Sequence, residues 1–290
     1  MGKNDKGYVE VSSGARFKLS KAPVAVKPRY HSEEHYRALL DADRVALGGY
    51  QTLLYAEHSK AMLLIFQGMD TSGKDGAIKH VLSGINPQGC VVVSFKTPTS
   101  IDIAHDYLWR THRLLPARGQ IGIFNRSYYE DVLVTRVHPE LLSRQNLPTG
   151  KHGKKFWTER FKDIVHHEDY LMRQGYEIVK FFIHISKAEQ KKRLLSRFQN
   201  KKKEWKISEG DVRERSFWSE YQDAYEECFR NTGTKECPWH IIPGNDKRNA
   251  RLIVSKIIVE RFGRMNLKYP SLRPEERKKL TYLKATLDNE

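Results

Sequence analysis

Apolar positions along the chain follow two alternating rhythms. From Ser32 to His58, the residues Tyr36, Leu39, Leu40, Val45, Leu47, Leu53 and Leu54 recur at roughly helical spacing, with charged residues between them. That is the signature of an amphipathic helix. A continuous apolar run from Ala61 to Gln67 follows, with the length and content of a fully buried strand. Further strand-like runs occupy Val91 to Phe95, Gln120 to Phe124, Glu177 to Ile185 and His240 to Ile242. Amphipathic stretches separate them: Ile78 to Leu82, Ile103 to Leu114, Phe156 to Gln174, Lys187 to Phe198, Val212 to Phe229 and Asn249 to Phe262. The alternation predicts an α/β fold, a parallel five-stranded sheet with helices on both faces.

Some segments break the rhythm. Residues 1–30, with Pro23, Pro28 and interleaved basic residues, read as an N-terminal arm, and residues 266–290 as a charged, peripheral tail. The stretch from Pro139 to Lys155 is rich in Pro, Gly, His and Lys and reads as a surface loop. Another, from Asn200 to Glu209, carries Lys201, Lys202, Lys203, Trp205 and Lys206 between two helices. The domain proper is expected at 31–265, with a lid at about 190–230.

Charge narrows the partners. Fifty-one Lys and Arg against 35 Asp and Glu give a formal charge of +16 over 290 residues. A field of that sign favours polyanions: nucleic acid, anionic lipid or polyphosphate. No helix-turn-helix, zinc-finger or aromatic RNP pattern supports nucleic acid. The apolar runs are too short to span a bilayer, and the polar first residues lack the apolar core of a signal peptide. Cys90, Cys228 and Cys237 are scattered, without disulfide or zinc spacing. The expectation is a cytoplasmic protein with no membrane or nucleic-acid partner.

The chemistry begins after the first strand. Gly68-Met-Asp-Thr-Ser-Gly73-Lys74 matches the loop whose backbone N–H groups cradle phosphates while its Lys reaches the β and γ positions. Gly68, Ser72, Gly73, Asp75 and Gly76 are the candidate phosphate-binding set, with Lys74 catalytic. The usual loop continues Lys-Ser or Lys-Thr, whose hydroxyl holds Mg²⁺; here Asp75 follows. A hard cation wants carboxylate oxygen, which makes Asp70 the first candidate ligand and Asp131 the second.

A second cluster, Asn125-Arg126-Ser-Tyr-Tyr-Glu130-Asp131, emerges from another strand end, where ligands bind in open α/β sheets. Arg126 offers a planar fork to phosphate. Arg193 and Arg197 are neighbours on one helix face beside Lys191 and Lys192; a bound polyanion would relieve their repulsion, although a merely solvated basic face gives the same pattern. Trp205, Lys206, Asp211, Arg213 and Arg215 have the composition of a lid, Arg215 being the candidate to meet charge in the transition state. Trp218, Tyr221 and Tyr225, at helical spacing, read as core packing before base stacking.

Together, GMDTSGKDG, FKTPTSIDIAHDYLWR, FNRSYYEDVLVTRV, FFIHISKAEQKKRL and EWKISEGDVRERSFWSEYQDAYEECF resemble the polyphosphate kinase 2 family, in order and from about Ser32 to Phe262. The resemblance implies a P-loop kinase fold with a helical lid, Mg²⁺ dependence (Mn²⁺ being the other candidate), and assembly as homodimers or homotetramers. It also implies phosphoryl transfer between inorganic polyphosphate and nucleotides, AMP to ADP and ADP to ATP, with adenine and guanine both open. Asp70, Lys74 and Arg126 match the family's essential residues, and Asp131 an acidic position in its second motif. Arg136, Arg193 and Arg215 match basic positions facing the phosphate chain or the lid. Asn125 resembles the class that accepts either AMP or ADP, whereas one-step members often carry an acidic residue there. An ATP-dependent nucleoside monophosphate kinase is the rival reading. The surplus of basic residues and the missing Ser or Thr after Lys74 argue against it.

Overall fold

The computed structural model describes residues 6–12, 16–148, 152–206 and 208–289, and leaves the side chains of Lys202, Lys203 and Lys206 undescribed. Parts of the N-terminal arm, of the 139–155 loop and of the Lys-rich connection therefore lie outside the described residues. In chain order the elements are β1 (Val9–Val11), α1 (Glu33–Glu57), β2 (Ala61–Gln67), α2 (Lys74–Val81), β3 (Cys90–Ser94), α3 (Ser100–Ile103), α4 (Trp109–His112), β4 (Ile121–Asn125), α5 (Glu130–Val137) and α6 (Lys154–Arg173). They continue with β5 (Tyr176–His184), α7 (Lys187–Phe198), α8 (Glu209–Ser216), α9 (Trp218–Thr232), β6 (Trp239–Pro243), α10 (Lys247–Arg264) and α11 (Pro274–Asp288).

The sheet runs β1-β6-β5-β2-β4-β3. Its five expected strands are all parallel. A sixth comes from the arm: β1 pairs antiparallel with β6, Val9 opposite Ile241. Three residues are too few for a two-residue period to show in a polar segment, so pairing along β6, and not local pattern, makes this strand.

Burial on both faces explains the unbroken apolar strands. Every residue of β2 is buried. Leu63 and Ile65 face a core built with Phe161 and Ile164 of α6 and Phe229 of α9. Met62, Leu64 and Phe66 face another, built with Leu47 and Leu54 of α1 and Ile253 and Ile257 of α10. The period-two alternation of a strand sorts adjacent residues into these two layers. β2 has β4 on one side and β5 on the other, so its carboxyl end is a switch point where a ligand crevice opens.

Two expected helices are each broken. The expected helix over 103–114 is instead the end of α3 at Ile103 and the short α4, separated where Asp106 Oδ1 accepts the Leu108 N–H at 3.0 Å in a local turn. Residues 212–229 divide at Phe217 into α8 and α9. The expected surface loop opens with a short 3₁₀ turn, Pro139–Gln145, with Leu142 buried. The tail contains the exposed helix α11. No helix among the described residues is long and apolar enough to cross a membrane, and all three cysteines are free thiols.

Candidate active site

The loop between β2 and α2 owes its shape to glycine. Gly68 has φ +152°, and a Cβ there would stand 2.7 Å from Ser72 Oγ and 2.9 Å from the Ile183 carbonyl. Gly73, the N-cap of α2, is left-handed at φ 104°. Thr71 adopts φ 60° with no such freedom, so the surroundings must hold it. Arg193 does this: Nη1 donates to the carbonyls of Thr71 and Ser72 at 3.1 and 2.6 Å. Its Nη2 donates to Gly244 and Asn245 at 2.6 and 3.2 Å, and its Nε pairs with Glu189 at 2.7 Å. Gln190 Nε2 adds a bond to the Asp70 carbonyl at 3.1 Å.

Arg193 is thus a brace beneath the loop, already neutralised and bonded, and not a free cation beside Arg197. Lys74 Nζ is buried and folds back on the loop, donating to the Gly68 and Met69 carbonyls at 2.7 and 3.3 Å. Burial holds its pKa below the usual lysine range.

At the end of β4, Asn125 Nδ2 donates to Asp75 Oδ1 at 2.7 Å, tying this strand to the first turn of α2. The departure from Lys-Ser/Thr therefore has a local role: Asp75 supplies an acceptor to Asn125. Arg126 follows in a left-handed conformation, φ 65°, with its N–H on the Phe66 carbonyl at 2.9 Å. That conformation accompanies a side chain that meets two carboxylates, Asp70 at 3.0 Å and Glu130 at 3.7 Å.

Two clefts meet here. One, of about 710 Å³, contains the loop residues 70–77, Asn125, Arg193, Arg197, Lys96, Lys247 and Arg251. The other, of about 610 Å³, is walled by His138 of the α5 end, Glu214 of α8, Phe217, and Tyr221 and Tyr225 of α9. Asp70, Thr97 and Arg126 belong to both. Tyr221 and Tyr225 are buried in the core yet still line the second cleft, so packing and a ligand wall are not alternatives for them. Glu214 Oε2 lies 2.8 Å from His138 Nε2 and accepts the Tyr221 hydroxyl at 2.8 Å, joining α8 to α5 and α9 across that cleft.

Not every expected residue is in this site. Asp131 is buried away from Asp70, with Gln145 Nε2 on Oδ1 at 2.8 Å and Arg110 Nη2 3.7 Å from Oδ2. Neighbouring positions on a helix do not share a face, and Glu130 is the one that meets Arg126. Arg136 pairs with Glu227 of α9 at 2.6 Å and lies over the Trp157 ring, outside both clefts. Arg215 donates to the Lys187 carbonyl and Gln190 Oε1, both at 2.8 Å, while its neighbour Arg213 lines the second cleft. Arg197 lines the first cleft, pairing with Asp211 at 2.9 Å. Lys96, Thr97, Lys247 and Arg251 are cleft residues beyond the expected set; Lys96 and Thr97 open the FKTPTSIDIAHDYLWR stretch, and nothing local in the sequence marks Lys247 or Arg251.

Among the described residues no group of three or more His, Cys, Asp or Glu side chains is assembled for a metal. The clefts instead offer the carboxylates of Asp70 and Asp75, and the buried hydroxyls of Thr71 and Ser72 lack a partner. Mg²⁺ is usually bound through one or two carboxylates, waters and substrate phosphates. The donor set fits Mg²⁺ or Mn²⁺ and does not fit an all-protein cage.

Comparison with known proteins agrees with this geometry. The model of the family Polyphosphate kinase 2 (PPK2) matches residues 30–270. The chain is 49% identical over 278 residues to the ADP-polyphosphate phosphotransferase of Rhodopseudomonas palustris, spanning 96% of each chain. It is 44% identical over 220 residues to the AMP/ADP-polyphosphate phosphotransferase of Meiothermus ruber, spanning 76% of this chain and 78% of the relative. The crystal structure of Polyphosphate Kinase 2 from Arthrobacter aurescens TC1 superposes with a TM-score of 0.82 at 36% identity, covering 94% of this chain and 98% of that one. With its family match spanning nearly the whole domain and close likeness in both sequence and structure, the chain belongs to the polyphosphate kinase 2 family.

Proposed function

We propose that this enzyme moves phosphoryl groups between inorganic polyphosphate and adenine nucleotides, AMP to ADP and ADP to ATP. The observation that carries the reading is the pair of unlike clefts joined at Asp70 and Arg126. The glycine-flanked loop, Lys74 and the basic residues Lys96, Arg197, Lys247 and Arg251 suit a chain of phosphates. Phe217, Tyr221 and Tyr225 suit a nucleoside. A phosphoryl group passing between them crosses the Asp70–Arg126 pair.

Loop amides and Lys74 hold the terminal phosphates, and Lys74 must exchange its carbonyl contacts for phosphate oxygens. Arg126 stabilises charge on the transferring group from the β4 end. Asp70 would hold Mg²⁺, which when bound screens charge between the phosphates. The attacking oxygen of a nucleotide phosphate is already ionised, so positioning matters more than proton removal. Arg213 and Glu214, on α8, bring the lid to the nucleoside side.

The Asn125 amide supports use of both acceptors. It takes a neutral place beside Asp75, where a carboxylate would add repulsion toward both Asp75 and an incoming phosphate. The relative in R. palustris is named for ADP and that in M. ruber for AMP and ADP. Incubation with Mg²⁺, long-chain polyphosphate and either AMP or ADP, with nucleotides resolved over time, separates these cases. ADP and then ATP from AMP, and ATP from ADP, is the expected result; ATP from ADP alone overturns the dual-acceptor reading. Assembly as a homodimer or homotetramer, and a cytoplasmic setting, belong to the same reading. Light scattering and cell fractionation test them.

A further inference from the structure

Asp131 sits in a cage of cations that reaches the active cleft by a short route. The residue is 4% exposed. Arg160 closes the cage, donating Nη1 to the Asp131 carbonyl at 2.9 Å and Nη2 to Gln145 Oε1 at 2.6 Å. Opposite stands Arg110, 7% exposed, with Nη2 3.7 Å from Asp131 Oδ2. The other arm of the same guanidinium, Nη1, donates to the Lys96 carbonyl at 2.9 Å, and its plane lies over the Phe95 ring at 5.7 Å.

Lys96 and Thr97 belong to no helix or strand and line the cleft of the glycine-flanked loop. Their segment is held at one end by the Phe95 N–H on the Asn125 carbonyl at 3.1 Å. At the other end Thr99 and Asp102 form the capping box of α3. Between these anchors, Arg110 grips the backbone. Arg110 and Arg160 are two buried cations near the carboxylate of Asp131, Arg110 facing its Oδ2 and Arg160 acting on it through space while bonded to the main-chain carbonyl of the same residue. Removing that charge leaves them to repel each other in a poorly solvated place, and the grip on Lys96 is the contact nearest to yield.

We propose that Asp131 is a positioning residue which, through Arg110, sets where Lys96 stands in the polyphosphate cleft, and is not a ligand of the metal. The proposal rests on the reading of that cleft as the polyphosphate side. It gives a physical reason for an acidic residue one position beyond Glu130 that faces away from the reacting groups.

The test is a double-mutant cycle of Asp131→Asn and Lys96→Ala, read as the KM for polyphosphate, kcat and the half-saturating Mg²⁺ concentration. Lys96→Ala is expected to raise the polyphosphate KM about tenfold, and Asp131→Asn by a similar factor with kcat within about threefold. The double variant should be no worse than the weaker-binding single one, because both remove the same contact. Arg110→Lys keeps the charge beside Asp131 while losing the fork, and should show the same KM shift if Asp131→Asn does not fold.

Factors that multiply in the double variant overturn the positioning role while leaving the cleft assignment intact. So does an unchanged KM in the folded Asp131→Asn or Arg110→Lys protein. A tenfold higher Mg²⁺ requirement in Asp131→Asn returns that residue to the metal. An unchanged KM in Lys96→Ala removes the polyphosphate reading of this cleft and the proposal with it.

Discussion

Arg126 Nη2 donates to Asp70 Oδ1 at 3.0 Å, although the two residues stand 56 positions apart in the chain. They join the loop after β2 to the end of β4, at the boundary of two clefts of different character. The pair is partly exposed, with 41% of the arginine side chain and 30% of the aspartate accessible. Such pairs contribute about 0–1 kcal/mol to stability, so on the proposed function the pair matters for the charges it would present to a bound phosphoryl group.

Asp70→Asn should accordingly lower kcat by roughly 10²–10³, with a melting temperature close to that of the parent. Initial rates at saturating polyphosphate and ADP, together with a thermal melt, make the comparison. A kcat within about threefold of the parent would show that the carboxylate charge is not used in the transfer.

The backbone of the loop is as specific as its side chains. Gly68→Ala places a methyl group 2.7 Å from Ser72 Oγ and 2.9 Å from the Ile183 carbonyl, at a φ that L-residues rarely adopt. The loop must move relative to β5, and misplacement by about 1 Å can cost about a hundredfold in rate. A fall in kcat/KM of about that size, with an unchanged circular dichroism spectrum, is expected. Parent-like activity would mean that the loop tolerates a shifted backbone.

These positions differ in how visible they are from sequence alone. The β2 run and Gly68-to-Lys74 spacing announce themselves, because a buried strand followed by paired glycines has few other uses. Glu130 and Asp131 are chemically alike and adjacent, and only the packing of α5 decides that the first meets Arg126 and the second is buried with Arg110 and Arg160. Arg193, Arg197 and Arg215 look alike in a basic stretch, yet the first braces the loop, the second pairs with Asp211, and the third bonds to the first turn of α7. Long-range partners set these roles, and no local period encodes them. β1 escapes for the same reason: its pattern is supplied by β6.

A buried polar network stands beneath the β4–α5 turn and shows what holds it. Lys180 Nζ donates to Glu168 Oε2 at 2.6 Å, to the Thr232 carbonyl at 2.8 Å and to the Tyr129 hydroxyl at 3.1 Å. Both Tyr128 and Tyr129 donate to Glu168 Oε1, at 2.8 and 2.7 Å. Lys180 is 0% exposed and Glu168 1%. Glu168→Gln leaves the ammonium uncompensated and should cost about 3–5 kcal/mol in urea unfolding. Glu168→Gln combined with Lys180→Met should recover much of that loss, since the pair itself contributes far less than either charge alone costs. A single variant that costs under about 1 kcal/mol would mean that water reaches the site.

Acid sensitivity has an identifiable source on β5 and β6. His240 is 3% exposed, between the rings of Tyr8 and Phe181, with Nδ1 3.1 Å from the Lys180 carbonyl. Burial pushes its pKa down to about 4, and does the same to His184. An unfolded histidine titrates near 6.5. Between about pH 6.5 and 4 the unfolded chain therefore binds protons that the native protein excludes, so stability is full above this window and is lost as pH falls through it. Each histidine contributes a slope of up to about 1.4 kcal/mol per pH unit. His240→Asn keeps a donor for the Lys180 carbonyl and removes the titration. Urea unfolding at several pH values from 7.5 to 5 should show a lower stability at the neutral end, from lost ring packing, and a slope reduced by up to that amount. An unchanged slope would place the acid sensitivity in other groups.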